Sequence, residues 1–243
     1  MKALETKQLI KSFGGVHAVD HLSISVEKGT ITGIIGPNGS GKSTLVNTLT
    51  GMHPIDGGEV VMNGVTLRSV NAPDMPAYGV TRTFQDVRLF EQMTVLDNVL
   101  VVLTEGNVWG ALFERHTALH LKKAQEALTT VGLWEKRGAL AANLSYGQRK
   151  LLEVARAVAI GAELYFFDEP FAGMFPEMIK VVVRVMEDLR TKGKTIMLIE
   201  HNMELIRKLC DRIIVMDTGE LLAEGAPDSV LARRDVIEAY LGE

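Results

Sequence analysis

The stretch Gly36-Pro-Asn-Gly-Ser-Gly-Lys-Ser-Thr44 constrains this chain more than any other. It follows the apolar run Ile31–Ile35 and leads into Ser43–Leu49, whose apolar residues have helical spacing. In the spacing G-x-x-x-x-G-K-[S/T], a glycine-rich turn between strand and helix lets backbone N–H groups curl around phosphate oxygens. The helix N-terminus adds its positive partial charge. Gly36, Pro37, Asn38, Gly39, Ser40 and Gly41 would form the cradle. Lys42 would reach the β- and γ-phosphates, and Ser43, followed by Thr44, would ligate Mg²⁺. Such a loop belongs at the carboxyl end of a parallel strand, so the surrounding chain is expected to be α/β.

The rest of the pattern agrees. Leu164–Phe167 is a continuous apolar run, as in a strand buried on both faces, and Thr195–Ile199 reads as another buried strand. Ile179–Leu189, Met203–Leu209, Val95–Leu103 and His116–Val131 have helical spacing, with Gly132 as a stop after the last. Leu22–Val26 alternates like a half-buried strand. Glu59–Met62 with Asn63-Gly64 reads as a hairpin, and Ile213–Met216 with Leu221–Ala223 as another. Val108-Trp109-Gly110 reads as a connection. Strands alternating with helices predict a mainly parallel sheet, and the helical stretch from about Val87 to Ala159 reads as an insertion into it.

Composition excludes several classes. A chain of 243 residues with 47% hydrophobic and 23% charged residues is a folded one, with a sizeable core. A net charge of −4 offers no basic excess to neutralise a nucleic-acid backbone, so no nucleic-acid partner is expected. Cys210 stands alone, which rules out an intramolecular disulfide and fits a reducing compartment. Met1–Phe13 has no signal-peptide character, and no run approaches the ~18–20 apolar residues of a membrane-spanning helix. The chain reads as soluble, with any membrane role coming through a partner. His116 and His120 share a helical face but lack the carboxylates that would complete a zinc site.

Leu164-Tyr-Phe-Phe-Asp-Glu169 ends a buried strand with two carboxylates. Asp168 suits a second anchor for Mg²⁺, which leaves Glu169 to orient and deprotonate an attacking water. With the phosphate loop, this describes a P-loop NTPase. Leu144-Ser-Tyr-Gly-Gln148 then opens a helix, where Ser145 and Gln148 form a capping box.

That segment closely resembles the L-S-G-G-Q signature of the ATP-binding-cassette (ABC) family and precedes the Asp168 strand, as in that family. Gln85, in Thr83-Phe-Gln-Asp86, is similar to the family's Q-loop glutamine. His201, in Ile199-Glu-His-Asn202, is similar to its switch histidine, and Phe13 to its adenine-stacking aromatic. The resemblance covers the chain from about Leu4 to Glu243. It implies a single nucleotide-binding domain over residues 1–243: a RecA-like P-loop core with a mainly parallel sheet, an antiparallel β subdomain and a helical subdomain inserted at about 87–159. It further implies a composite site, in which Ser145, Gly147 and Gln148 of one subunit close on the ATP held by another. Lys42, Gln85, Glu169 and His201 are then the catalytic residues, and Ser43, Gln85 and Asp168 the residues on the Mg²⁺ side. Two departures stand out. Tyr146 replaces the signature's first glycine. Phe175, in Gly173-Met-Phe-Pro176, replaces a polar residue that normally links the two sites.

Within the family, Arg82–Phe90 with Met93–Asn98, Leu144–Gln148 and Asp235–Glu243 resemble the ATP-binding subunits of branched-chain (hydrophobic) amino-acid importers. ATPases of urea/amide importers and of lipopolysaccharide-extraction complexes share part of this pattern. The importer resemblance implies transmembrane permease subunits docking near Val87–Asn98, where Val87, Leu89, Phe90 and Met93 beside Arg88 suit an amphipathic helix. It also implies a second ATP-binding subunit, identical or related, an external substrate-binding protein, and a peripheral location on the cytoplasmic face of the cell membrane.

Overall fold

A computed structural model describes residues 1–103 and 118–241. His116, Val108–Gly110 and the last two residues of the Asp235–Glu243 ending lie outside the described residues. The chain divides into two compact units. The first comprises Met1–Arg82, Glu163–Glu169 and the chain from Glu187 on, and the second Thr83–Ala162 with Pro170–Met186.

The strands in chain order are β1 (Lys2–Phe13), β2 (Val16–Leu22), β3 (Ser25–Glu27), β4 (Ile31–Ile35), β5 (Gly57–Met62), β6 (Val65–Leu67), β7 (Val80–Arg82), β8 (Leu164–Asp168), β9 (Thr195–Ile199), β10 (Arg212–Asp217) and β11 (Glu220–Gly225). All belong to the first unit, in two sheets. The six-stranded sheet has the order β11-β10-β4-β9-β8-β7. Its pairings are parallel except for the β10–β11 hairpin. Every residue of β4, β8 and β9 is buried, which accounts for their mainly apolar side chains. The five-stranded sheet pairs β2-β1-β5-β6, with β3 on β1. Its β5–β6 hairpin turns at Asn63 (φ 48°) and Gly64 (φ 88°), as the Asn-Gly pair predicts.

Between β4 and β5 runs the helix Lys42–Leu49. Leu45, Val46 and Leu49 are fully buried in one core cluster with Leu4, Val60 and Met62 of one sheet and Ile34 and Phe166 of the other. Each such side chain contributes roughly 1.5–3 kcal/mol of burial free energy, so the helix is held by both sheets.

In the second unit, the helices Val95–Leu100, Ala118–Thr130 and Tyr146–Ile160 bury Val95, Val99, Ala124, Leu128, Leu152 and Ala155. Helical spacing over Val95–Leu103 carries the helix only to Leu100. Leu103 N–H bonds back to the Leu100 carbonyl, three residues away, which tightens the end into a turn. Ala72–Tyr78 is a 3-10 turn the periodicity did not suggest, set by Pro73 at its start and Pro76 within it. The helix expected over Ile179–Leu189 extends from Pro176, a proline suited to a first turn, to Thr191.

Candidate functional site

The sheet order of the first unit sets the site. β9 lies between β4 and β8, so the carboxyl ends of three neighbouring parallel strands lead into the phosphate loop, His201, and the Asp168-Glu169 pair.

After β4 the backbone turns at Gly36 (φ 152°), where a Cβ would stand 2.1 Å from the Met216 carbonyl oxygen. It enters the helix through Gly41 (φ 98°), where a Cβ would stand 2.1 Å from the Ala18 carbonyl oxygen. Both positions exclude a side chain on two counts. The helix that follows has no side-chain cap and no acidic residue in its first turn. Its N-terminal N–H groups and dipole are thus left for an anion.

Lys42 is 6% exposed and donates from Nζ to the carbonyls of Gly36 (2.8 Å) and Pro37 (2.9 Å). Burial lowers the ammonium's pKa, and the carboxylates of Glu169 and Asp168 partly counter this. A cation held by neutral carbonyls, with an uncapped helix end beside it, fits a polyphosphate. Ser40 is buried, whereas Asn38, Gly39 and Ser43 are exposed.

Asp168 ends β8 at 4% exposure. Its Oδ2 accepts from Arg82 Nη2 at 3.0 Å. Glu169 follows with a φ of 46°, a left-handed conformation rare for a residue with a Cβ, while its N–H donates to the Ile199 carbonyl at 3.0 Å. Its Oε1 lies 3.0 Å from His201 Nε2, which joins two residues the sequence offered separately. The His201 loop is fixed by Glu200, a buried carboxylate whose Oε2 accepts from the His201 N–H at 3.1 Å. Asn202 then caps the helix Met203–Leu209. A carboxylate held at hydrogen-bond range by an imidazole, next to a second carboxylate and a buried lysine, can take a proton from water and balance charge on a phosphoryl group. Phe13, at the end of β1, keeps an open face at 46% exposure, with Lys11 Nζ 5.1 Å from its ring centroid.

In the second unit, Ser145 and Gln148 form the expected capping box at the start of Tyr146–Ile160: Gln148 N–H donates to Ser145 Oγ (3.4 Å) and Ser145 N–H to Gln148 Oε1 (3.2 Å). Gly147 packs so closely that a Cβ would stand 2.4 Å from Met178 Sδ. The two departures differ in setting. The Tyr146 ring lies against Gly173, 2.8 Å from where a Cβ would sit, whereas Phe175 is 71% exposed. Gln85 is exposed on a loop whose backbone is clamped from the same helix: Lys150 Nζ donates to the Gln85 carbonyl at 2.9 Å, and Phe84 N–H donates to Glu153 Oε1 at 2.9 Å. Farther on, the buried Asn98 side chain exchanges hydrogen bonds of 2.9 Å with the Phe90 backbone. Val87, Leu89 and Met93 are half-buried and Phe90 is 50% exposed.

Sequence reasoning missed Arg82, Asn98, Lys150, Glu153 and Glu200. Each is a polar residue whose role comes from burial, and spacing along the chain carries no signal for that. Cys210 is buried just after the helix Met203–Leu209, as expected, and burial pushes its thiol pKa up to about 12. Among the described residues no helix is long and apolar enough to cross a membrane.

Known proteins with this architecture are numerous. The ABC transporter family profile matches residues 19–172, and a profile described as branched-chain amino acid ATP-binding cassette transporter matches residues 220–243. The high-affinity branched-chain amino acid transport ATP-binding protein LivG of Salmonella typhimurium is 39% identical over 249 aligned residues, covering 99% of this chain and 98% of that protein. A probable LivG of Archaeoglobus fulgidus is 37% identical, covering 100% and 96%. Among solved structures, the ADP conformation of an ATP-binding cassette of an ABC transporter superposes with a TM-score of 0.88 at 35% identity, covering both chains completely. A likeness of this extent makes the chain a member of the ABC transporter family, among the ATP-binding cassettes of branched-chain amino acid transport.

Proposed function

We propose that this chain binds ATP with Mg²⁺ and hydrolyses it to energise uptake of branched-chain or other hydrophobic amino acids. The observation that carries the hydrolytic part is the Glu169–His201 contact of 3.0 Å at the carboxyl end of the sheet that bears the phosphate loop. The substrate reading rests on the match over residues 220–243 and the full-length likeness to branched-chain amino acid cassettes.

Residues 36–44 hold the phosphates through backbone N–H groups, and Phe13 stacks on adenine. Lys42 exchanges its loop carbonyls for phosphate oxygens. Ser43 and Asp168 would hold Mg²⁺, and their hydroxyl and carboxylate oxygens suit a hard cation. The ion, when bound, would supply positive charge to offset the phosphoryl group's negative charge. Glu169 accepts the proton of the attacking water as the new O–P bond forms and the bond to the ADP oxygen breaks, giving ADP and phosphate. His201 holds Glu169 and donates toward the charge that spreads over the γ-phosphoryl group.

Ser145, Gly147 and Gln148 complete the site of a second ATP-binding subunit. Permease subunits dock near Val87–Asn98, which keeps the chain peripheral on the cytoplasmic face of the membrane, and an external binding protein delivers the amino acid. In this reading the chain is one nucleotide-binding domain with residues 87–159 as its helical subdomain. The test is purification of the tagged chain from detergent-solubilised membranes, with co-purifying proteins identified by mass. Permeases and a second ATP-binding subunit are the expected partners. Recovery with exporter or lipid-extraction subunits would overturn the importer reading.

A further inference from the structure

The end of β1, where Phe13 sits, is built around a buried lysine. Lys11, two residues earlier on the strand, is 5% exposed, and its Nζ stands over the Phe13 ring. The ammonium is fixed there by Asp56: Oδ1 accepts from Lys11 Nζ at 2.9 Å, and Oδ2 accepts from the Ser12 N–H at 2.8 Å. The N–H of Asp56 donates in turn to the Ile10 carbonyl at 3.0 Å. One acidic residue therefore pins three consecutive residues at the end of β1. Three positions before it, the His53 ring meets the Phe13 ring at 77°, with centroids 5.2 Å apart. The His53 N–H donates to the Asn47 carbonyl at 3.2 Å, in the last turn of the helix Lys42–Leu49. The segment that leaves the phosphate-loop helix thus fixes both the lysine and the aromatic ring.

We propose that Lys11 is a positioning residue for the nucleobase: its ammonium, held by Asp56 over one face of Phe13, orients and polarises the ring so that the open face takes the base. This rests on the reading of Phe13 as the adenine-stacking aromatic. The reason is electrostatic. An aromatic face is negative and attracts a cation, more strongly when the cation is out of water, as Lys11 is. The cation draws π density toward itself and leaves the opposite face less negative, which favours stacking of an electron-rich base there. A ring held in place before the nucleotide arrives also loses less rotamer freedom on binding. Without Lys11, Phe13 keeps its area but not its orientation or its polarisation.

The experiment is calorimetric titration of the full chain with ADP and, as a base-free probe, with pyrophosphate, both in MgCl₂. It compares wild type, Lys11→Met, Lys11→Arg, Phe13→Ala and the Lys11→Met/Phe13→Ala pair. Lys11→Met is expected to weaken ADP binding about threefold to tenfold and to leave pyrophosphate binding unchanged. Lys11→Arg keeps a cation that can lie over the ring, and should restore most of the ADP affinity. Phe13→Ala should weaken ADP binding by about fivefold or more, again without effect on pyrophosphate. Lys11→Met should then add less than about twofold in the Phe13→Ala background.

Wild-type ADP affinity in Lys11→Met, equal losses for ADP and pyrophosphate, or a loss that persists in full once Phe13 is Ala would overturn the inference. If Lys11→Met fails to fold, the Lys11→Met/Asp56→Asn pair, which leaves no charge unpaired, makes the same comparison, and wild-type ADP affinity in it is equally fatal. If Phe13→Ala binds ADP as wild type does, the stacking reading of Phe13 fails and takes the inference with it. A Phe13 effect with silent Lys11 variants removes the inference alone.

Discussion

Glu169 combines a strained backbone with a chemical role, and substitutions there separate the two. Its φ of 46° costs a side chain with a Cβ about 1–2 kcal/mol. The N–H bond to the Ile199 carbonyl and the contact with His201 hold it there. Replacement by Ala keeps the strain. Replacement by Gly relieves it, at about 0.5–1 kcal/mol of added unfolded-chain entropy. The Gly variant should therefore be the more stable of the two by about 0.5–1 kcal/mol, a Tm higher by about 1–4 °C for a chain of this size. Glu169→Gln keeps the shape but cannot take a proton. All three variants should hydrolyse ATP about 10²–10⁴-fold more slowly. That corresponds to about 3–5 kcal/mol of lost transition-state stabilisation. ATP binding should persist in all three, because the phosphate loop is untouched. Thermal melts with and without ATP, beside a phosphate-release assay, read both effects. An Ala variant melting at or above the Gly variant would refute the strain argument, and a Gln variant with near-normal turnover would refute the proton-acceptor role.

Three further outcomes follow from the same geometry. Lys42→Met should weaken ATP affinity by about tenfold to a hundredfold in a fluorescent-nucleotide titration, since the charge that faces the phosphates is gone. Gly41→Ala places a Cβ 2.1 Å from the Ala18 carbonyl at a φ of 98°, and should lower stability by about 2–4 kcal/mol in a denaturant melt. For Cys210, burial raises the thiol pKa from 9.0 to about 12, so the folded chain binds a proton that the unfolded chain releases first. The stability this contributes is fully present below 9.0 and lost as pH rises toward about 12. At neutral pH the native thiol should resist alkylation until denaturant is added, as measured by mass spectrometry.

Much of the fold was legible because its signals are local. β4 and β9 matched the expected spans residue for residue, since strands buried on both faces carry mostly apolar side chains, with only small residues such as Thr32 and Thr195 among them. The β5–β6 turn followed from Asn63-Gly64, and the start of Tyr146–Ile160 from the Ser145–Gln148 spacing, because turn and cap chemistry sits within four residues. The Ala72–Tyr78 turn escaped because it has no apolar period, only two prolines. At the site, the phosphate loop and the acid pair were readable as motifs. The Glu169–His201 contact spans 32 residues of sequence and Arg82–Asp168 spans 86, so both come from strand order in the sheet, which no window of sequence contains.

The central claim is that ATP hydrolysis at this site drives amino-acid import. The direct measurement is phosphate release by the chain assembled with permease subunits in lipid vesicles, with and without leucine, isoleucine or valine and the proposed external binding protein. Stimulation by those amino acids, accompanied by their accumulation and abolished by Glu169→Gln, is the predicted result. Hydrolysis indifferent to every amino acid, or stimulated only by a lipid substrate, would contradict the account.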